Sequence, residues 1–231
     1  MNAGALKSLS VNIEGVLFDL DGTLLDSAPD LYAALVVQCG EENVPPPPYS
    51  LVRQVVSRGA RAVLRCAFED RGEPAIAALV PRYLEIYQRV MGEQTTAFDG
   101  IERLLGRIEA LGLRWGIVTN KAAFLTDDLL VRIGWGGRAH AVVSGDTLLV
   151  KKPDPAPVLL ACEQAGIQPA NSVFVGDDRR DILAGAAAGL YTVAVSWGSL
   201  DGSDPQTWGA DAVVDHPAQL AELLRLQTVT V

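Results

Sequence analysis

Ile13-Glu14-Gly15-Val16-Leu17-Phe18-Asp19-Leu20-Asp21-Gly22-Thr23 is a short apolar run that ends on two carboxylates two residues apart. Positions i and i+2 of a strand face the same way, so Asp19 and Asp21 are expected to project together from its carboxyl end. In an open α/β sheet that edge is where ligands bind. One carboxylate can attack an electrophile while the other handles protons. Gly22 removes a side chain where the backbone must bend close to a ligand. Thr23 offers a short hydroxyl suited to a phosphate oxygen. The same residues also read as a turn followed by a capping box, Thr23 to Asp26, so the rest of the chain has to decide.

Outward from this strand, β-rich runs recur at Arg114–Thr119, Ala141–Ser144, Ser172–Gly176 and Thr192–Ser196. Helical patterns separate them: Ile101–Leu111, Ala122–Ile133, Pro155–Ala165 and Asp181–Ala188. A short run, Ala212–Val214, precedes a last helix over Ala218–Leu226. This alternation predicts an α/β fold, a doubly wound parallel sheet with helices on both faces. One interval breaks the pattern. From about Ser27 to Thr96 there is no convincing strand, only helical patterns at Pro29–Cys39, Ser50–Val56, Ala60–Phe68 and Ala75–Met91. Ser27-Ala28-Pro29-Asp30 is a good helix start, and Pro45 to Pro48 a stiff loop. The expected organisation is a core domain of residues 1–26 and 97–231, with a small all-helical cap domain, 27–96, inserted after the first strand. Its hinges are expected at Asp26–Ala28 and Phe98–Gly100. The leading MNAGALKSLS has no signal-peptide centre and reads as a loose leader.

Composition narrows the function. The chain has 231 residues, 49% of them hydrophobic and 20% charged, which suits one large folded domain or a domain with a smaller insertion. No stretch approaches the roughly 18 apolar residues of a membrane span. A net charge of −9 argues against nucleic acid as a partner. A small phosphorylated metabolite stays compatible, because a few local cations can reverse the field inside one cleft. Cys39, Cys66 and Cys162 are odd in number and far apart, which reads as reduced packing residues in a cytoplasmic protein. His140 and His216 lack metal-ligand spacing.

Three further strand ends carry chemistry. Thr119-Asn120-Lys121 sets a hydroxyl and an amide after Trp115–Val118, suited to phosphate oxygens, although Thr-Asn is also an ordinary helix start. Lys151-Lys152-Pro153 sets a cation before a stiff turn, or else a solvated charge on a loop. Gly176-Asp177-Asp178-Arg179-Arg180-Asp181 gathers three acids within five residues. Asp177 and Asp181 are four apart and become neighbours if a helix begins between them. Such carboxylates repel one another, and Mg2+, a hard cation that takes oxygen ligands, is the natural counterion. Acids at a helix N-terminus are the plainer account. Together the four sites complete a phosphoryl-transfer centre: an aspartate nucleophile, a metal, and donors for the phosphoryl oxygens.

At these four sites the sequence resembles the haloacid dehalogenase superfamily: Asp19-Leu20-Asp21-Gly22-Thr23 its first motif, Thr119 its second, Lys152 its third, and Gly176-Asp177 with Asp181 its fourth. The resemblance implies a core with strand order 3-2-1-4-5. It implies Asp19 as nucleophile and metal ligand, and Asp21 as general acid/base with its backbone carbonyl on Mg2+. Thr119 and Lys152 are implied as phosphate binders, Lys152 also holding Asp19. Asp177 is implied as a metal ligand, Asp181 as a ligand or its support, and Asn120 as a further contact. Asp178 departs from the Ser or Thr of many relatives and leaves the roles of the three acids open.

An aspartate at position 21 favours phosphatase or phosphomutase chemistry over dehalogenation, because it can protonate a leaving alcohol and then activate water. The inserted cap is similar to that of phosphoglycolate phosphatases and β-phosphoglucomutases. The stretches at Gly176–Ile182 and Trp208–Pro217 are closer to bacterial N-acetylmuramic acid 6-phosphate phosphatases. Ser57-Arg58-Gly59-Ala60-Arg61 falls where those relatives carry a substrate-selecting loop, and its arginines suit a carboxylate or a sugar's polar groups. A solvated helix start is the alternative there. The expectation is a Mg2+-dependent phosphomonoester hydrolase of the phosphoglycolate phosphatase type, monomer or homodimer, acting through an aspartyl-phosphate on 2-phosphoglycolate or N-acetylmuramic acid 6-phosphate. A sugar-phosphate mutase and a non-catalytic phospho-ligand scaffold are the competing readings.

Overall fold

The computed structural model describes residues 13–226. The expected loose leader, residues 1–10, lies outside the described residues. Six parallel strands form the main sheet: β1 (Gly15–Phe18), β4 (Arg114–Val118), β5 (Ala141–Val143), β6 (Ser172–Gly176), β7 (Tyr191–Val195) and β8 (Ala212–Val214). Their order across the sheet is β5-β4-β1-β6-β7-β8. This is the expected 3-2-1-4-5 arrangement, extended by Ala212–Val214 as a sixth strand. β1 lies centrally, with Phe18 level with Ile117 on one side and Val175 on the other.

Parallel strands buried on both faces read as continuous apolar runs, and these do. Val16, Phe18, Trp115, Ile117, Val173 and Val175 feed one core, while Leu17, Val118, Val143 and Phe174 feed the opposite one. The second face is covered by α7 (Ala156–Ala165) and α8 (Arg179–Ala187). The first is covered in part by α5 (Ile101–Ala110), α6 (Ala123–Arg132) and α9 (Pro217–Leu223). All three cysteines are free. His140 accepts from the Trp115 N–H and His216 caps α9, both structural uses.

Between Ser27 and Thr95 the chain is helical: α1 (Ala28–Glu41), α2 (Tyr49–Arg53), a 3-10 turn at Val56–Arg58, α3 (Ala60–Phe68) and α4 (Glu73–Val90). Both chain crossings at the ends of this segment are strands of two residues. β2 (Leu25–Asp26) and β3 (Thr96–Ala97) pair antiparallel in a separate ribbon. Asp30, fully buried on α1, ties the returning chain down. Its carboxylate accepts from the N–H groups of Gly92 (2.8 Å), Gln94 (3.0 Å) and Thr95 (3.0 Å), and from the Thr95 hydroxyl (2.6 Å).

Candidate active site

The four strand-end motifs meet at the carboxyl edge of the sheet. Asp19 follows β1 directly, its N–H still bonded to Val175 O at 2.9 Å. Thr119 extends β4 in the same way, bonding to Val143 O. Lys152, after β5, sends a buried side chain across the edge. Its Nζ lies 2.7 Å from Asp19 Oδ1, 2.7 Å from Asp181 Oδ1 and 2.6 Å from Val118 O. Lys151 is exposed, which resolves the lysine pair in favour of Lys152 at the centre. Asn120 Nδ2 donates to Lys152 O at 3.0 Å and so fixes the lysine's backbone.

Asp19, Asp177 and Asp181 are all buried and bring one carboxylate oxygen each within 4.8 Å of the others. Burial pushes all three carboxyls up. Asp177 rises to about 7, with the Asp19 charge adding to the effect of burial. Lys152 opposes the rise at Asp19 and Asp181. Burial alone would lower Lys152 itself, but the charges of Asp181 and Asp19 outweigh it and hold the ammonium above its usual range. Three buried carboxylates facing one lysine leave an excess of negative charge and an all-oxygen donor set. Both features fit a hard divalent cation such as Mg2+.

Glycines make room for this cluster. Gly22 adopts φ +88°, and a side chain there would collide with the Asp177 carboxylate. A Cβ at Gly198 would strike Asp177 and come within 2.5 Å of Gly22 O. Gly198 belongs to no motif recognised from sequence.

Several expected site residues stand differently from the sequence reading. Thr23 is fully buried and donates to Asp177 Oδ1 at 3.0 Å. Its hydroxyl supports a carboxylate where a phosphate contact was expected, because the turn at Gly22 carries it inward. Asp21 turns its carboxylate away from the three-acid cluster. Oδ1 accepts from Ser27 Oγ at 2.6 Å, and both oxygens lie 3.3 Å from Lys121 Nζ. Lys121, missed from sequence as a site residue, also donates to the Tyr87 hydroxyl at 2.8 Å.

Asp178 is outside the acid cluster. It caps α8, accepting from the Arg180 N–H, while its own N–H donates to Asp181. Its carboxylate takes a two-pronged bond from the Arg180 guanidinium, 2.8 Å at each oxygen. Burial pushes Asp178 up, but Arg180 more than offsets this and holds it below the usual range. Arg180 Nη2 also reaches Ser57 O at 2.7 Å. Ser57 Oγ donates to Asp177 Oδ2 at 3.2 Å. The Ser57-Arg58-Gly59 turn thus touches the acid cluster from the helical side.

A cavity of about 570 Å³ lies between this turn and the sheet edge. Asp19, Asp21, Thr119, Asn120 and Lys152 line its floor, and Ser57, Arg58, Gly59 and Arg61 its opposite wall. Leu31, Val56, Tyr83, Leu84, Tyr87 and Leu125 supply apolar surface.

The family model for haloacid dehalogenase-like hydrolases matches residues 16–195. A phosphoglycolate phosphatase of Xanthomonas campestris is 46% identical over 90% of this chain and 94% of its own. An N-acetylmuramic acid 6-phosphate phosphatase of Pseudomonas aeruginosa is 42% identical over 93% and 96%. Among solved structures, a predicted phosphoglycolate phosphatase from Haemophilus somnus superposes with a TM-score of 0.83 at 24% identity, covering 93% of this chain and 99% of that one. That last likeness carries the fold. With the four motifs assembled at one sheet edge and relatives matched over nearly their whole length, the chain belongs to the haloacid dehalogenase-like hydrolase family.

Proposed function

We propose that the protein is a Mg2+-dependent phosphomonoesterase that works through a phosphorylated Asp19. The observation that carries this is the buried cluster of Asp19, Asp177 and Asp181, joined to Lys152, with Asp19, Asp181 and Lys152 lining the cavity. Asp19, Asp177 and Asp181, with the Asp21 backbone carbonyl, would hold the ion. Bound Mg2+ supplies positive charge that shields the attacking carboxylate from the phosphoryl oxygens. Thr119, Asn120 and Lys152 bind those oxygens as charge spreads over them.

Asp19 Oδ attacks phosphorus, the bond from phosphorus to the alcohol oxygen breaks, and Asp21 gives that oxygen its proton. Water then attacks the same phosphorus and its proton passes to Asp21. The bond to Asp19 breaks and inorganic phosphate leaves.

Residues 27–96 act as a cap that closes over the substrate, and the wall at Ser57, Arg58 and Gly59 selects it. The cavity's size supports the larger of the two substrates named by the relatives. A two-carbon phosphoglycolate would leave most of about 570 Å³ unfilled, the apolar wall included. N-acetylmuramic acid 6-phosphate has methyl groups for that wall and a carboxylate for the arginines, and it is the substrate this reading favours. The expected setting is the cytoplasm, consistent with three free cysteines. Among the described residues no helix is long and apolar enough to cross a membrane.

The test is phosphate release by the full chain with Mg2+ from each compound. Expected is a kcat/KM at least about tenfold higher for the amino-sugar phosphate. Preference for phosphoglycolate would overturn the substrate, and an isomerised sugar phosphate without free phosphate would overturn hydrolysis.

A further inference from the structure

Lys121 belongs to none of the roles above, yet its ammonium is buried at the site, with the side chain 6% exposed. Nζ stands 3.3 Å from each oxygen of Asp21, a symmetric placement across the carboxylate. On its other side it donates to the Tyr87 hydroxyl at 2.8 Å and sits 4.4 Å above that residue's ring. Tyr87 is buried on α4, 34 residues away in sequence. Burying an ammonium is costly unless it is paired, and these two groups are the partners.

We infer that Lys121, anchored by Tyr87, is a positioning residue that fixes the Asp21 carboxylate for proton exchange. The inference rests on the phosphomonoesterase reading. Ser27 and Lys121 both occupy Oδ1, whereas Oδ2 meets Lys121 alone. Oδ2 is therefore the oxygen with acceptor capacity left for a substrate proton. Without Lys121 the carboxylate keeps one tether at Oδ1 and can rotate about it. The anchor lies on α4, so the helical segment holds the acid/base group as well as covering the cavity.

The two chemical steps depend on Asp21 differently. p-Nitrophenolate leaves without needing a proton, so formation of the phosphorylated Asp19 from p-nitrophenyl phosphate does not need Asp21. Hydrolysis of that intermediate does. Stopped-flow measurement with p-nitrophenyl phosphate and Mg2+ reads the two steps separately on the full chain. For Lys121→Met the expected result is a burst of about one p-nitrophenolate per site at near wild-type rate, then steady turnover about 100-fold slower. Tyr87→Phe keeps the ring and its packing, and should show the same burst with a smaller slowing. Lys121→Arg should recover part of the steady rate.

A raised KM without a burst in Lys121→Met would make Lys121 a phosphate binder and overturn the inference. Wild-type kinetics in both Lys121→Met and Tyr87→Phe would overturn it as well. Absence of any turnover in the wild-type chain would instead overturn the phosphomonoesterase reading, and this inference with it.

Discussion

Arg180 Nη2 donates to the backbone carbonyl of Ser57 across 2.7 Å, joining residues 123 apart in sequence. The guanidinium is held by both oxygens of Asp178, so an acid next to the buried carboxylate cluster orients the arm that reaches the opposite wall. Arg180→Met should release the Ser57-Arg58-Gly59 turn while leaving the acid cluster in place. The expected effect is a KM about tenfold higher with a smaller change in kcat, the loss of roughly one charged hydrogen bond. Steady-state kinetics on the preferred phosphomonoester check it, and a fall confined to kcat would contradict it.

Asp19→Asn keeps the shape of the side chain and removes the proposed nucleophile. Turnover should fall by more than about 10³-fold, with no phosphorylated protein trapped on acid quench. Circular dichroism should be unchanged. Robust activity in this variant would remove Asp19 from its assigned role.

The acid cluster also gives the protein a pH signature. Asp177 is pushed up to about 7, so the folded, metal-free protein keeps a proton there that the unfolded chain has already released. The sign follows from that: the contribution of Asp177 to stability is fully present below the ordinary carboxyl range and is lost as pH rises through about 7. A bound cation reverses the trend, because it needs the charged carboxylates and displaces the proton. Thermal melts with EDTA and with Mg2+ should diverge as pH rises, the Mg2+-induced gain in Tm being larger near pH 8 than near pH 5.5. Equal gains at both would contradict the assignment of Asp177 as a ligand.

Asp30 presents a case of stability without chemistry. Three backbone N–H groups and one hydroxyl converge on its buried carboxylate. Asp30→Ala leaves those donors unpaired, at a cost of about 3 kcal/mol. For a chain of this size that corresponds to a Tm lower by roughly 10 °C. Differential scanning calorimetry reads the shift.

Much of this arrangement is legible in the sequence, for physical reasons. Buried parallel strands must be apolar on both faces, so Val16–Phe18 and Val173–Val175 announce themselves, and the reactive residues directly after them mark the ligand edge. The helices of the 27–96 segment follow from punctuation such as Ser27-Ala28-Pro29, and their observed limits differ from expectation by a few residues at most. Contacts between distant segments leave no periodic trace. The pairing of Lys121 with Tyr87, the reach of Arg180 to Ser57 and the close approach of Gly198 to Asp177 are visible only once the chain is folded. Thr23 shows the converse. Its hydroxyl was apparent, but which oxygen it meets depends on the turn made at Gly22. The two-residue strands β2 and β3 are too short for any alternation to register.

That ribbon has a consequence of its own. Leu25 faces Ala97 and Asp26 faces Thr96, so the chain departs from the sheet and returns to it through adjacent residues. An intervening segment whose ends already meet places little demand on the length or shape of what it joins. The helices between can be lengthened, trimmed or exchanged for others without disturbing the register of β1 against its neighbours. On the proposed reading a graft of the 27–96 segment of one relative onto the sheet of another is a route to altered selectivity, provided the graft keeps a tyrosine at the Tyr87 position to meet Lys121.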